Sequence, residues 1–237
     1  MSFKNITFIL HKPQLSENIG ACARALKNFN FNNLSIVNPK PSFPNDKIIA
    51  TSVGAKDIIK KSKLFSNLEK SLTKTDILIA TSARFRNKNI KHISLDELKK
   101  INFTKRVSFL FGSEASGLTN DEVSYADYTL QIPSNSKFRS LNLSHSLVIV
   151  AQTVSYLISI SKVDFQKSKK IQTATKKEIS SMLNFCLYTL ENQNFFKQKA
   201  KKPIMIENLR SIFYKMELSK KEIRILSSVF AGLAKKP

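Results

Sequence analysis

The sequence predicts an α/β fold around a largely parallel sheet, followed by a small helical appendage. Over the first 160 residues, short β-branched and aromatic runs alternate with longer segments of helical period. The short runs are apolar throughout, as strands covered on both faces require. From about residue 178 onward the spacing is helical alone. A length of 237 residues exceeds the about 100–200 of a usual single domain, and 42% apolar residues suffice for a core.

In order, strands are expected at residues 6–10, 34–37, 76–80, 107–111 and 128–132. A helix starts near Glu17, with Ile19, Ala23, Leu26 and Phe29 on one apolar stripe and Arg24, Lys27 and Asn28 off it. Another follows Ser144. Leu147, Ala151, Val154 and Ile158 recur along it, and with Val148, Ile149 and Val150 it is apolar almost all round, which predicts burial or packing on a partner chain. Residues 161–177 are polar and lysine-rich without a period and read as an exposed linker. Helices follow at 179–190, 204–216 and 220–233, with Pro203 breaking the first two apart. The expected organisation is a domain over 1–160, a basic linker over 161–177 and a helical appendage over 178–237.

The formal charge is +22, from 39 basic and 17 acidic residues, which favours polyanions as partners, nucleic acid first. From Lys162 onward there are 17 basic residues against 6 acidic, as an RNA-gripping appendage requires. The cluster Lys199, Lys201 and Lys202 reads equally well as a solvated face. No run of about 18 apolar residues occurs, so no membrane partner is expected. Residues 1–10 lack the basic start and long apolar core of a secretory signal, so a cytoplasmic location is expected. Cys22 and Cys186 stand far apart without a CxxC pattern, and His11, His92 and His145 lack ligand spacing, so reduced cysteines and no metal are expected. GxGxxG, GxxxxGK[ST] and GxSxG patterns are absent, which argues against dinucleotide, phosphate-loop and serine-hydrolase chemistry.

Only five glycines occur, and three mark junctions: Gly20 opens a helix, Gly112 ends a strand and Gly117 lies in the next turn. Ligands of α/β sheets bind at strand ends, so Gly112 is a candidate for close backbone approach to a cofactor. Around these glycines lie three clusters: Asn18-Ile19-Gly20-Ala21-Cys22-Ala23-Arg24, Phe111-Gly112-Ser113-Glu114-Ala115-Ser116-Gly117-Leu118, and Ile132-Pro133 through Ser140-Leu141-Asn142-Leu143. In order and spacing they closely resemble the three motifs of the SPOUT superfamily of RNA methyltransferases, and more narrowly the TrmH-like ribose 2′-O-methyltransferases. The resemblance runs from Ile6 to about Tyr156. Thr81-Ser82-Ala83-Arg84, together with Asn208-Leu209-Arg210-Ser211-Ile212-Phe213 and Glu222-Ile223-Arg224-Ile225-Leu226, looks more loosely like the TrmJ subgroup, which methylates tRNA at cytidine or uridine 32 of the anticodon loop.

The resemblance implies a parallel-sheet domain ending in a trefoil knot, and a homodimer with its sites at the interface. It also implies S-adenosylmethionine held in the knot by Thr81, Ser82, Ala83, Gly112, Ile132, Ser140, Leu141 and Asn142. The chemistry suits these residue types. A ribose hydroxyl that attacks a sulfonium methyl loses its proton, so the site must orient it and stabilise growing oxyanion charge. Arg24, Asn18, Glu114, Ser140 and Asn142 are the catalytic candidates. The family gives the arginine matching Arg24 a base-like part, yet a guanidinium of pKa above about 12 is a poor base, so phosphate anchoring and electrostatic stabilisation are the roles favoured here. The proton acceptor stays open. Asn18 is expected to fix Arg24 in place, and Glu114 to pair with that arginine or across the dimer. Ser140 and Asn142 are also suited to capping the next helix. Arg24, Arg84 and Arg86 are candidates for RNA contact. Ser113 stands where many relatives carry arginine, a loss that Lys137 and Arg139 are placed to offset. Two alternatives remain: a ribosomal RNA substrate for the same chemistry, and a non-catalytic RNA-binding protein on the same scaffold.

Overall fold

Seven strands form one sheet: β1 (Ile6–His11), β2 (Leu34–Val37), β3 (Lys63–Phe65), β4 (Ile77–Thr81), β5 (Lys91–Ile93), β6 (Val107–Phe111) and β7 (Tyr128–Leu130). The computed structural model describes residues 3–83, 90–160 and 173–234. The strand order is β3-β2-β1-β6-β4-β7-β5, and all pairs are parallel. Five of these strands stand where the apolar runs predict them, to within a residue or two at their ends. The other two, β3 and β5, form the edges of the sheet. Each has three residues, and Lys63 and Leu64 are exposed, so neither carries the apolar run of a buried strand.

The helices are α1 (Ser16–Asn28), α2 (Asp46–Thr51), α3 (Lys56–Lys61), α4 (Leu68–Ser71), α5 (Asn120–Ser124), α6 (Leu143–Ile160), α7 (Lys176–Asn192), α8 (Lys202–Lys215) and α9 (Lys220–Ala234). Successive side chains of the central strands point to opposite faces, which sorts the core into two layers. Phe8, Ile79 and Phe109 meet Ile19 and Leu26 of α1 and Leu147 and Val154 of α6 on one face. Ile9, Leu78 and Leu110 meet Val123 of α5, Met182 and Leu183 of α7, and Phe213 and Tyr214 of α8 on the other. The stripe of α1 turns inward as its spacing predicts, while Arg24, Lys27 and Asn28 are exposed. Gly20 lets α1 press onto α2, because a Cβ there would lie 2.0 Å from Thr51 Oγ1 and 2.6 Å from the Ile48 carbonyl oxygen.

The C-terminal helices thus share a core with the sheet. Of the expected linker, residues 161–172 lie outside the described residues, and Lys176 corrects the reading of its end as exposed. Lys176 opens α7 behind a Thr175–Glu178 capping box and is 1% exposed. Its ammonium pairs with buried Asp127 and donates to the Tyr214 carbonyl at 3.1 Å, while Asp127 Oδ2 accepts the Leu78 N–H at 2.7 Å. Local composition gave no sign of this pairing, because the partner lies 49 residues away.

Candidate active site

A cavity of about 770 Å³ opens at the carboxyl ends of β4, β6 and β7, the edge where open parallel sheets bind ligands. Thr81, Ser82 and Ala83 leave β4 along one wall, the loop from Gly112 to Leu118 leaves β6 along a second, and Ile132 with residues 136–141 closes the third. Thr81 Oγ1 donates to the Leu110 carbonyl at 3.0 Å, and the Ser82 N–H donates to Leu130 at 3.0 Å, so the exit of β4 is sewn to both neighbouring strands.

The glycines of the second wall have distinct jobs. Gly117 takes φ of +67°, which an L side chain rarely adopts, and its N–H donates to the Ser113 carbonyl at 2.8 Å. A Cβ on Gly112 would lie 2.3 Å from the Gly117 carbonyl carbon and 2.5 Å from the Leu118 nitrogen. The close approach at Gly112 is therefore made by the chain's own backbone, where the loop folds back on the strand end.

Behind the cavity, one carboxylate organises the N-terminal cluster. Glu114 Oε2 accepts the Gln14 N–H at 2.8 Å, and Oε1 accepts the Leu15 N–H at 3.2 Å and Asn18 Nδ2 at 2.8 Å. A carboxylate at the start of α1 is also favoured by the helix dipole. Asn18 Oδ1 in turn accepts Asn142 Nδ2 at 3.0 Å, and Asn142 Oδ1 accepts the Ser144 N–H at 2.8 Å at the start of α6. One chain of hydrogen bonds thus joins all three sequence clusters. Gln14 adds a bond from Nε2 to Ser113 Oγ at 3.1 Å, so the serine at that position ties the same two loops.

Arg24 takes no part in this network. It lies six residues beyond Asn18, about 240° round the helix, exposed and outside the cavity wall. The expected pairing of Glu114 with Arg24 is not seen, since both Glu114 oxygens serve residues 14–18, and Asn18 binds Glu114 and Asn142 instead of steadying the arginine. Thr81, Ser82, Ala83, Gly112, Ile132, Ser140 and Leu141 all line the cavity, with Asn142 beside it. Arg84 and Arg86 lie outside the described residues.

Sequence reasoning missed a second carboxylate. Glu122, buried, receives Lys12 Nζ at 2.7 Å, shares a hydrogen bond with His11 Nε2 at 2.8 Å, and accepts the Thr119 N–H at 2.8 Å. Burial opposes its charge, but the bonds from His11, Lys12 and Thr119 prevail and hold its pKa at about 2. The capping-box spacing of Thr119 and Glu122 was a readable sign of helix α5; the tie to β1 was not. Cys22 is wholly buried, and burial, then the Glu114 charge, pushes its thiol pKa up, so it packs as a small hydrophobe. Among the described residues no group of three or more metal-ligating side chains occurs, and no helix is long and apolar enough to cross a membrane.

Fold and cavity together define an α/β protein whose ligand site lies at the carboxyl ends of parallel strands, closed by a loop that folds back on itself. Residues 5–152 match the SpoU rRNA methylase family. The chain belongs to that family and is a methyltransferase. It is 30% identical, over 97% of its length and 91% of the relative's, to the tRNA (cytidine/uridine-2′-O-)-methyltransferase TrmJ of Sodalis glossinidius. The crystal structure of TrmJ from Z. mobilis ZM4 superposes with a TM-score of 0.86 at 27% identity, covering 97% of this chain and 99% of that one. The SpoU methyltransferase AviRb of Streptomyces viridochromogenes, solved in complex with AdoMet, shares the fold at 19% identity and a TM-score of 0.51, over 66% of this chain and 62% of that one.

Proposed function

We propose that the chain methylates a ribose 2′-hydroxyl of tRNA, at cytidine or uridine 32 of the anticodon loop, with S-adenosylmethionine as donor. The observation that carries this reading is the meeting of residues 81–83, 112–118 and 132–141 around one cavity at the strand ends, with Asn18 tied to its walls from behind through Glu114 and Asn142. Its volume of about 770 Å³ lies within the roughly 300–1,000 Å³ of small-molecule sites, and Leu118, Leu130, Ile132 and Leu141 give it apolar walls for an adenosyl group. Thr81, Ser82, Ala83, Gly112, Ile132, Ser140, Leu141 and Asn142 would hold the donor. When bound, it supplies a methyl group on a positively charged sulfur. Relatives matched over nearly their whole length carry a tRNA name, which supports the substrate.

The chain's own residues orient the acceptor and stabilise its charge. Arg24 is the cation for that task. In this reading the working unit is a homodimer in which Arg24 completes the site of the second copy; its exposure on α1, outside its own cavity wall, supports that reading. Exposed Leu15, Leu141, Val148 and Tyr156, on and beside the packed pair α1 and α6, supply apolar surface for such an interface. A trefoil knot in the C-terminal part of the sheet domain belongs to the same reading. The lysines of α8 and α9 and of the segment before α8 grip the RNA, and the enzyme works in the cytoplasm.

The test is Arg24→Ala with purified full-length chain, tRNA lacking the modification and radiolabelled donor. kcat should fall by about 10²–10³, the loss that follows removal of one oxyanion-stabilising group, with the melting temperature unchanged because the side chain is exposed. Wild-type turnover in the variant would overturn the role of Arg24. Mapping ribose methyls in a deletion strain decides the substrate: loss in ribosomal RNA alone would move it there.

A further inference from the structure

The turn between β7 and α6 lines the cavity yet displays an apolar side chain to solvent. Phe138 is 76% exposed, more than any other large apolar residue among those described. The turn that carries it is braced from within. Asn135 Oδ1 accepts the Lys137 N–H at 3.0 Å, the Asn135 carbonyl accepts the Phe138 N–H at 3.0 Å, and Arg139 Nε donates to the Ser136 carbonyl at 3.2 Å. Lys137 and Arg139, the residues before and after Phe138 in the chain, are exposed as well. An exposed aromatic ring flanked in sequence by two exposed cations, on a turn that lines a binding cavity, matches a nucleotide: a flat base to cover the ring, and phosphates for the cations.

We propose that Phe138 stacks on the base of the target nucleotide while Lys137 and Arg139 hold its flanking phosphates. This rests on the RNA-methyltransferase reading above. Under that reading the acceptor ribose must reach the donor inside the cavity, so the base attached to it falls on the rim, where Phe138 stands. The donor's adenine is the rival occupant. It has no phosphate to match Lys137 and Arg139, and its sulfonium charge is repelled by both. A base can cover an exposed ring only when unpaired, so the substrate is a looped-out or single-stranded nucleotide.

The chain has no tryptophan of its own, so Phe138→Trp places a single tryptophan on the rim, which can be excited apart from the tyrosines. Unmodified tRNA should quench its emission, and S-adenosylmethionine alone should leave it unchanged. In steady-state assays Phe138→Ala should lower kcat/KM for tRNA by about 5- to 150-fold, the range for one lost base–aromatic stack. Phe138→Trp should restore most of that loss, and donor affinity by calorimetry should stay within about twofold for both variants. Quenching by the donor alone, a tenfold loss of donor affinity in Phe138→Ala, or unaltered kcat/KM would each overturn the proposal. Failure of the broader reading looks different: the wild-type chain would transfer no methyl group to tRNA, and the quenching experiment would still decide what covers Phe138.

Discussion

Glu114 and Asp127 each join segments far apart in the chain, but on different terms. Glu114 stands on the cavity wall, half-buried, and takes N–H bonds from Gln14, Leu15 and Asn18, all neutral donors. Asp127 lies 2% exposed under the C-terminal helices and pairs with the ammonium of Lys176. At the cavity, then, a carboxylate is held by N–H groups alone, with no ion pair. At the helix junction charge is matched, because a lone charge in a dry core is costly. The same chemical group, a carboxylate, joins two segments through neutral donors in one place and through an ion pair in the other.

The largest expected effect follows from breaking the matched pair. Lys176→Met leaves Asp127 buried without its cation, and burial already pushes that carboxyl's pKa up and the Lys176 ammonium's down. A loss of about 3–5 kcal/mol is expected in urea melts. The double variant Lys176→Met with Asp127→Asn, which keeps an acceptor for the Leu78 N–H, should recover most of it. A single-variant loss below about 1 kcal/mol would mean that the pair does not hold the C-terminal helices down.

The counterpart at the cavity should cost less stability and more activity. Glu114→Gln keeps the shape but turns one oxygen into a donor facing an N–H of residues 14–18, at about 1–3 kcal/mol. Methyl transfer should drop at least tenfold at temperatures where the variant is fully folded. Equal loss of activity in Lys176→Met under such conditions would erase the distinction between the two carboxylates.

Much of this was legible in the sequence, and the failures share a cause. Phe8, Leu78 and Phe109 sit in apolar runs that announce buried strands, whereas Lys63 and Lys91 open edge strands whose one-sided pairing leaves no such pattern. The three clusters that one chain of hydrogen bonds joins were found because each is contiguous. Gln14, Glu122 and Lys176 were missed because their roles depend on partners 99, 111 and 49 residues away. For Arg24 the neighbours were misjudged: residues 18 and 24 share a motif and not a helix face.

The smallest effect concerns Glu122, which stands between the two cases because its partners are one cation, one histidine and one backbone N–H. Its folded pKa of about 2 lies below the roughly 4.3 of an unfolded glutamate. A depressed carboxylate stabilises the fold fully above the unfolded value, and the contribution fades as pH falls toward the folded one. Since Lys12 is half exposed, solvent weakens the pair, and about 1 kcal/mol is the expected scale. Urea midpoints of wild type and Glu122→Gln should differ at pH about 5 and converge as pH falls to about 2. The comparison cancels the other carboxylates that titrate in this range. A difference that persists unchanged down to pH about 2 would mean that Glu122 acts through shape, and that its charge does not tie β1 to α5.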